Sequence, residues 1–303
     1  MGIHIVHGLT RSYFTRKVTG YLDYTDRPWR LDPAAATTGP SVATESGRNG
    51  GIPVVIVPDG VPMWDSTTII EHLDAATPSE RSVLPDDPTL RFLAFLLDDF
   101  SDEWFYRPAV GSGWSYPANT LTGGWQIAEE LSVAVPLPGA FLRERVVETM
   151  TASLPKLGVL PENVDAWMSE VLVSWFRVLD AHLSGGGYLL GARPRLAEFA
   201  VVGAAAAHFV GDPYCRELSD EPGPAVVAHT HRLVEPQEQE FGPWLDTGAI
   251  PDTLVAVVAE AGRHYLPRVA EATVTGSATV ELTDGVTAEI AASAFLVRAR
   301  GIM

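Results

Sequence analysis

The residues best suited to chemistry lie in three short segments near the start of the sequence. Ser12 follows an apolar run and a tight turn, and it opens a stretch with helical spacing. Where a strand leads into a helix, backbone N–H groups and the positive end of the helix dipole attract an anion. The Ser12 hydroxyl is therefore either a donor to a bound anion or an N-cap, the commoner role of a serine at a helix start.

Ile52-Pro53 and Asp65-Ser66 are the second and third segments. A proline that opens a strand is often only an edge residue. In a thioredoxin-like unit, such a proline forms a cis bond and exposes the N–H and C=O of the preceding residue to a peptide ligand. Asp65 and Ser66 place an acid and a hydroxyl at a helix start, where ordinary capping is again the alternative. Taken in order, the three segments favour a binding site more strongly than each does alone.

Strand and helix patterns alternate over the first 76 residues, which is typical of a small α/β domain. Apolar residues at spacings of three and four predict a helix after Ser12 with Arg16 and Lys17 pointing outward. Two apolar runs around Asp59-Gly60 predict a β-hairpin. The predicted order is a strand at 3–6, a helix at 12–24, a strand near 29–31, a loop or weak helix at 32–51, a hairpin at 52–64 and a helix from 65 or 66 to about 76.

The rest of the chain has a helical pattern. Prolines among charged residues at 78–88 predict a linker between domains. A second hairpin is predicted around Asp284-Gly285, in a C-terminal extension over 271–303. Gly or Pro clusters separate predicted helices at about 89–107, 126–133, 140–152, 163–184, 196–210, 224–234 and 252–270.

Composition restricts the classes of function. The chain has 303 residues, a net charge of −17 and one cysteine. That charge repels nucleic acid and anionic membranes, and a single cysteine forms neither an internal disulfide nor a cysteine-based metal site. The sequence shows no signal peptide and no apolar run of membrane-spanning length. We therefore expect a cytoplasmic protein without a metal cofactor.

Several segments resemble glutathione S-transferases. The likeness rests on Ser12-Tyr-Phe-Thr-Arg-Lys-Val, Ile52-Pro-Val-Val, Asp65-Ser-Thr-Thr-Ile-Ile-Glu-His-Leu and Tyr188-Leu-Leu-Gly-Ala-Arg-Pro-Arg-Leu-Ala-Glu-Phe-Ala, and it covers about residues 1–210. It implies an α/β thioredoxin-like N-terminal domain over 1–77, followed after the linker by an all-α helical-bundle domain over 89–270. The C-terminal β-hairpin extension lies outside the likeness. A homodimer is expected on the resemblance alone.

The resemblance also implies roles for the three segments. The Ser12 hydroxyl would hydrogen-bond the sulfur of glutathione, or of another low-molecular-weight thiol, and lower the thiol pKa below its usual value of about 8.5. Ile52 would pair its backbone with the cysteinyl unit next to cis-Pro53. Ser66 would hold the γ-glutamyl carboxylate and Asp65 its ammonium group. Tyr13 and Phe14 follow Ser12 and would also contact the thiol compound. Tyr13 and Thr15 are alternatives to Ser12 as the residue that contacts the sulfur. Arg48 or Asn49 would reach the glycine carboxylate.

The second substrate would bind between the domains, opposite the sulfur. Trp104, Tyr106, Trp114 and Tyr116 are the predicted pocket residues, although such aromatic density also fits a core. Glycines at 111 and 113 favour the pocket, because a bundle helix would not need them. The acidic run at 98–103 is predicted to be a solvated helix face.

The leading hypothesis is therefore a glutathione transferase-like enzyme whose thiolate attacks a bulky apolar electrophile. A second hypothesis is thiol-dependent ether cleavage, isomerisation or biosynthetic addition on a specialised metabolite. A third is a non-catalytic binding or scaffold protein with the same fold. Saturable binding of glutathione would separate the enzymes from the scaffold.

Overall fold

A four-stranded sheet with two helices forms the first domain. The computed structural model of the protein describes residues 2–33, 51–78, 80–220, 223–234 and 242–291. The elements of this domain are β1 (His4–His7), α1 (Tyr13–Tyr24), β2 (Trp29–Asp32), β3 (Val54–Ile56), β4 (Pro62–Trp64) and α2 (Ser66–Asp74). The sheet order is β2-β1-β3-β4, with β1 parallel to β2 and the other two pairs antiparallel.

The predicted elements of this domain form, with small shifts. Val6 of β1, Val18 of α1 and Ile69 of α2 are fully buried and join the sheet to its helices. The last helix ends at Asp74 rather than at 76. The carboxylate of Asp74 accepts a hydrogen bond from the backbone N–H of Val83 at 3.0 Å and so binds the segment that follows the helix. Residues 34–50, which include Arg48 and Asn49, lie outside the described part of the chain.

Helices dominate the second part of the chain, as predicted. Its first long helix, over 88–115, comprises α3 (Pro88–Phe100), a π-helical turn (Ser101–Phe105) and α4 (Tyr106–Ser115). The others are α5 (Pro117–Ser132), α6 (Gly139–Ser153), a 3₁₀ turn (Leu154–Leu157), α7 (Val164–Trp167), a π segment (Met168–Trp175), α8 (Phe176–Leu183), α9 (Leu196–Ala204), a π turn (Ala205–Phe209), α10 (Pro213–Asp220), α11 (Pro224–Val234), α12 (Asp252–Glu260), a π turn (Ala261–Tyr265) and α13 (Leu266–Thr275).

Glycines at 111 and 113 do not interrupt a helix, contrary to the sequence-based interpretation. Both lie inside α4, where a neighbour passes close to the backbone. A Cβ at Gly111 would lie 2.8 Å from Cγ1 of Val159, and one at Gly113 would lie 2.8 Å from Nδ1 of His208. The absence of side chains therefore serves helix packing. The helix α10 was not predicted, because its sequence is short and mostly polar.

The two domains pack tightly through α1 and α9. A Cβ at Gly203 of α9 would lie 2.9 Å from the carbonyl oxygen of Tyr13 and 3.0 Å from the backbone nitrogen of Lys17. The predicted C-terminal hairpin is present as β5 (Ser277–Glu281) paired antiparallel with β6 (Thr287–Ala291). Within the described ranges, no helix has both the length and the apolar character needed to cross a membrane.

Candidate active site

A cavity of about 610 Å³ is lined by residues of both the first domain and the helical domain. Its volume lies within the ordinary range for small-molecule sites. One wall comes from the first domain: Leu9, Arg11, Ser12, Tyr13, Phe14, Gly51, Ile52, Pro53, Asp65, Ser66 and Thr67. The facing side is lined by Phe95, Asp98, Asp99, Asp102, Glu103, Tyr106, Arg107, Val110, Trp114, Ile127, Met150, Lys156, Leu157, His208 and Ala291.

Ser12 lies on this wall at the start of α1. Its Oγ accepts a hydrogen bond from the backbone N–H of Thr15 at 3.3 Å, so the residue is the N-cap of the helix. A hydroxyl has one proton to donate in addition to its acceptor sites. The capping role therefore leaves the Ser12 O–H group able to donate to an anion in the cavity. The two interpretations of this serine are compatible.

Neither Tyr13 nor Thr15, the two competitors of Ser12, offers an unengaged hydroxyl to the cavity. The Tyr13 hydroxyl donates to Oδ1 of Asp102 at 3.1 Å. Burial and the nearby carboxylates raise the pKa of Tyr13 well above its usual value. Thr15 is buried under Gly8, where a Cβ would lie 2.5 Å from the Thr15 Oγ1, and it does not line the cavity. Among these three hydroxyls, only that of Ser12 both lines the cavity and keeps a proton that no described acceptor binds.

The other predicted thiol-site residues surround Ser12. Phe14 lines the cavity, and its ring lies 4.6 Å from that of Tyr13 and 5.0 Å from that of Tyr106, centroid to centroid. Ile52 and Pro53 also line the cavity, and the peptide bond between them is cis. The structure thus brings these predicted residues to one wall.

Asp65 and Ser66 lie at the start of α2, on the same wall. Asp65 has φ of 70° and ψ of 110°, an uncommon conformation for a residue with a side chain, which occurs preferentially at functional sites. Its Oδ1 accepts hydrogen bonds from the backbone N–H and the Oγ1 of Thr68, both at 2.9 Å. This cap orients the first turn of the helix, whose N–H groups point toward the cavity end of the axis.

A buried charge cluster behind the wall contradicts two predictions. Lys17 is fully buried rather than pointing outward, and its Nζ lies 2.6 Å from Oδ1 of Asp98, 2.6 Å from Oδ2 of Asp102 and 2.9 Å from Oγ1 of Thr67. The acidic run at 98–103 is therefore not a solvated helix face. The predictions failed because α1 packs between the sheet and the helical domain, so the face that carries Lys17 also meets a protein surface.

The pKa values in this cluster follow from burial and charge. Burial alone would lower the pKa of Lys17, but Asp102 and Asp98 outweigh it and raise that pKa, so the ammonium group stays charged. Burial raises the pKa of Asp102 to about 7 despite the attraction of Lys17. Burial and Asp99 raise the pKa of Glu103, which lines the cavity, to about 8.

The four predicted pocket aromatics separate into two pairs. Tyr106 and Trp114 line the cavity. Trp104 is instead a core residue, with its ring 5.2 Å from that of Trp167. Tyr116 lies after the end of α4, where its hydroxyl donates to Oδ1 of Asp165 at 2.6 Å and its ring lies 4.0 Å from that of Tyr214. Helical spacing explains this, since residues two positions apart point in different directions.

Four basic residues in the cavity were not identified from the sequence: Arg11, Arg107, Lys156 and His208. Arg11 pairs with Asp212, with 2.6 Å between Nη2 and Oδ1, and His208 packs beside them. Burial lowers the pKa of His208, so its ring is neutral at neutral pH. A lone arginine in a helical pattern carries no signal of burial, and only the tertiary packing places these groups.

Comparison with known proteins agrees with this geometry. Residues 6–81 match the family model for the N-terminal domain of glutathione S-transferases. A search of curated proteins gives no match. Among solved structures, the β-etherase LigF from Sphingobium sp. strain SYK-6 aligns with a TM-score of 0.52 and 19% identity over 86% of this chain and 98% of its own.

Two further solved structures are similar at lower scores. A glutathione S-transferase from Rhodospirillum rubrum F11 has a TM-score of 0.48 and 16% identity, over 78% of this chain and 89% of its own. One from Methylobacillus flagellatus KT, with glutathione bound, has a TM-score of 0.43 and 18% identity, over 75% of this chain and 92% of its own. The first domain of this chain therefore belongs to the glutathione S-transferase family, and the chain as a whole has the glutathione S-transferase fold.

Proposed function

We propose that this protein is a glutathione transferase-like enzyme that binds glutathione, or a related thiol, and activates its sulfur with Ser12. The position of the Ser12 hydroxyl carries the proposal. It lies at the N-terminus of α1, faces the cavity and has a proton to donate. A hydrogen bond to sulfur stabilises the thiolate over the thiol, and the helix dipole acts in the same direction.

The neighbouring residues would hold the rest of the thiol compound. The backbone of Ile52 would pair with its peptide unit, the N–H groups at Ser66 would bind a carboxylate, and Asp65 an ammonium group. This set suits a charged peptide thiol better than a simple apolar thiol. The match of residues 6–81 to the glutathione S-transferase model supports the same assignment.

The reaction then needs only a positioned electrophile. The thiol proton leaves to solvent, the sulfur forms a bond to an electrophilic carbon, and the leaving group departs with the bonding electron pair. Phe14, Tyr106 and Trp114 give the cavity an apolar surface that would hold a bulky substrate next to the sulfur. Most of the rate enhancement would come from this proximity and from stabilisation of the thiolate.

Thiol-dependent ether cleavage is a second candidate, favoured by Glu103. Its carboxyl group lines the cavity, and a pKa of about 8 keeps it protonated at neutral pH. When the C–O bond of an ether breaks, the leaving oxygen takes the electron pair, and the proton of Glu103 would neutralise it. The β-etherase that shares the fold is a reason to include aryl ethers among the assayed electrophiles.

Titration with glutathione tests the primary proposal and separates it from the scaffold hypothesis. Tryptophan fluorescence should saturate with glutathione, and the ultraviolet absorbance of the bound thiolate should appear below the pH at which free glutathione ionises. Ser12→Ala should still bind glutathione but lose the thiolate absorbance at neutral pH. Thr15→Val is the matched control, because it removes a hydroxyl that does not line the cavity.

Failure of the wild type to saturate with glutathione would exclude that thiol, and failure with other low-molecular-weight thiols as well would leave only a scaffold. Retention of the thiolate in Ser12→Ala, with its loss in Tyr13→Phe, would transfer the role to Tyr13. Because Ser12 also caps α1, its replacement costs about 1 kcal/mol of stability, so thermal unfolding of each variant must accompany the titration.

Two further properties belong to the same proposal. A homodimer is proposed on the family resemblance alone, and light scattering of the purified protein would test it. A cytoplasmic location is proposed because thiols are kept reduced in that compartment.

A further inference from the structure

Arg107 is a buried cation on the cavity surface without a described acidic partner. It lies in the first turn of α4, is 5% exposed and lines the cavity. Its Nη1 donates to the carbonyl oxygen of Leu157 at 2.6 Å, and its Nε donates to that of Glu103 at 3.2 Å. Carbonyl groups satisfy hydrogen bonds but do not neutralise a charge. Within the described ranges, no carboxylate lies within ion-pair distance of this guanidinium.

The carboxylates on the same cavity are committed to other groups. Asp98 and Asp102 form ion pairs with Lys17, and Asp99 accepts a hydrogen bond from the hydroxyl of Tyr265. Glu103, one turn before Arg107, attracts it electrostatically without coming within ion-pair distance. In the described part of the chain, none of these carboxylates therefore forms an ion pair with Arg107.

Other acids near this end of the cavity are engaged too. Asp212 pairs with Arg11, whose guanidinium lies on the same cavity. Lys156, from the 3₁₀ turn that also supplies Leu157, adds a second positive group to the surface. Arg11, Arg107 and Lys156 thus place three basic side chains on the surface of the cavity, beside its carboxylates.

An isolated buried charge is costly unless a partner of opposite sign meets it. The apolar residues around Arg107, among them Val110, Met150 and Leu157, would surround the hydrocarbon body of a ligand. We propose that the second substrate is an apolar electrophile that carries an anionic group, such as an aromatic carboxylate, and that Arg107 binds this group. This inference rests on the proposed function, in which the cavity holds the second substrate.

Arginine suits that role because its planar group binds a carboxylate or sulfonate through two parallel N–H donors. The two hydrogen bonds to backbone carbonyls fix the plane of the guanidinium and leave its other N–H groups for a ligand. The anionic group would thus set the orientation of the electrophilic carbon relative to Ser12.

Two naphthyl probes of similar size test the proposal without a thiol or a reaction. Anilinonaphthalene sulfonate is anionic, and phenylnaphthylamine lacks the sulfonate; the fluorescence of both rises in an apolar site. The wild type should bind the anionic probe more tightly by about tenfold or more, since a hydrogen bond to a charged group contributes about that factor. Equal affinity of the wild type for the two probes would overturn the proposal.

Variants then locate the preference. Arg107→Gln should lower the affinity for the anionic probe by about tenfold to a hundredfold and leave the affinity for the neutral probe nearly unchanged. Arg107→Lys should keep most of the preference. Arg145→Gln, which removes an exposed charge on α6, should change neither affinity. An equal loss for both probes in Arg107→Gln would indicate a structural role and overturn the proposal.

Two comparisons remain decisive if Arg107→Gln does not fold. The wild-type probe ratio and the Arg107→Lys variant then decide the question, because neither removes the positive charge from the site. Glutathione titration of the same proteins separates this proposal from the proposed function. Equal affinity of the wild type for the two probes, with intact glutathione binding, would refute the role of Arg107 alone, whereas absent glutathione binding would refute the proposed function.

Discussion

The two sides of the cavity are built in different ways. The first-domain wall is held by local backbone features, the caps of α1 and α2 and the cis peptide before Pro53, each within a few residues of the group that it positions. The facing side is assembled from α3, α4, α5, α6 and the turns between them, by packing between distant parts of the chain. The local wall depends on a few neighbouring residues, whereas the packed wall depends on contacts between residues that are distant in sequence. In the proposed function, the first side holds the thiol and the second holds the electrophile.

The buried cluster at Lys17 joins the two sides, and its removal should have the largest effect. Lys17→Met leaves Asp98 and Asp102 buried without a counter-charge, so the free energy of unfolding should fall by about 3 to 5 kcal/mol. Urea unfolding measures the change. Lys156→Met, at the other lysine of the sequence, is the control and should change it by less than about 0.5 kcal/mol.

The contact between α1 and α9 gives the next largest effect. Gly203→Ala would place a Cβ 2.9 Å from the carbonyl oxygen of Tyr13, so backbone must move and unfolding should become easier by about 1 to 3 kcal/mol. Gly262→Ala is the matched control, because nothing lies within 4 Å of its added Cβ. Glutathione affinity should fall only in the first variant, since α1 carries Ser12. Equal behaviour of the two variants would show that the helices are not tightly coupled.

The same division explains what the sequence could predict. Ser12, Asp65 and the Asp59-Gly60 hairpin were predictable because caps and tight turns depend on a few neighbouring residues. Lys17 was predicted to point outward because a charged residue in a helical pattern is normally exposed. Its partners, Asp98 and Asp102, are distant in sequence, so the pattern around Lys17 does not reveal them. The roles of Gly111 and Arg107 were missed for the same reason, since their contacts with Val159 and Leu157 arise only after the helices pack.

Glu103, on the side of the cavity that faces the first domain, should make the free energy of unfolding depend on pH. Folded Glu103 has a pKa of about 8, against 4.5 for the exposed group, so the folded chain keeps a proton that the unfolded chain releases. The free energy of unfolding from this group therefore falls as pH rises from 4.5 to about 8. Glu103→Gln should reduce that fall and be more stable than the wild type at alkaline pH, by roughly 1 kcal/mol.

Urea unfolding on both sides of this pH window measures the difference. Part of the slope should remain in Glu103→Gln, because Asp102 also has a raised pKa, of about 7. Identical pH profiles for the variant and the wild type would mean that Glu103 ionises normally. The proton donor assumed for ether cleavage would then be absent.

The smallest expected effect separates core from cavity among the predicted pocket aromatics. Tyr116→Phe removes the hydrogen bond to Asp165 and should lower the free energy of unfolding by about 0.5 to 1.5 kcal/mol. Because Tyr116 does not line the cavity, the affinity for phenylnaphthylamine should not change. Trp114 does line the cavity. Trp114→Leu should therefore lower the affinity for phenylnaphthylamine, because an aromatic contact surface is lost. A lower affinity for phenylnaphthylamine in Tyr116→Phe, with an unchanged free energy of unfolding, would show that the substrate site reaches beyond the end of α4.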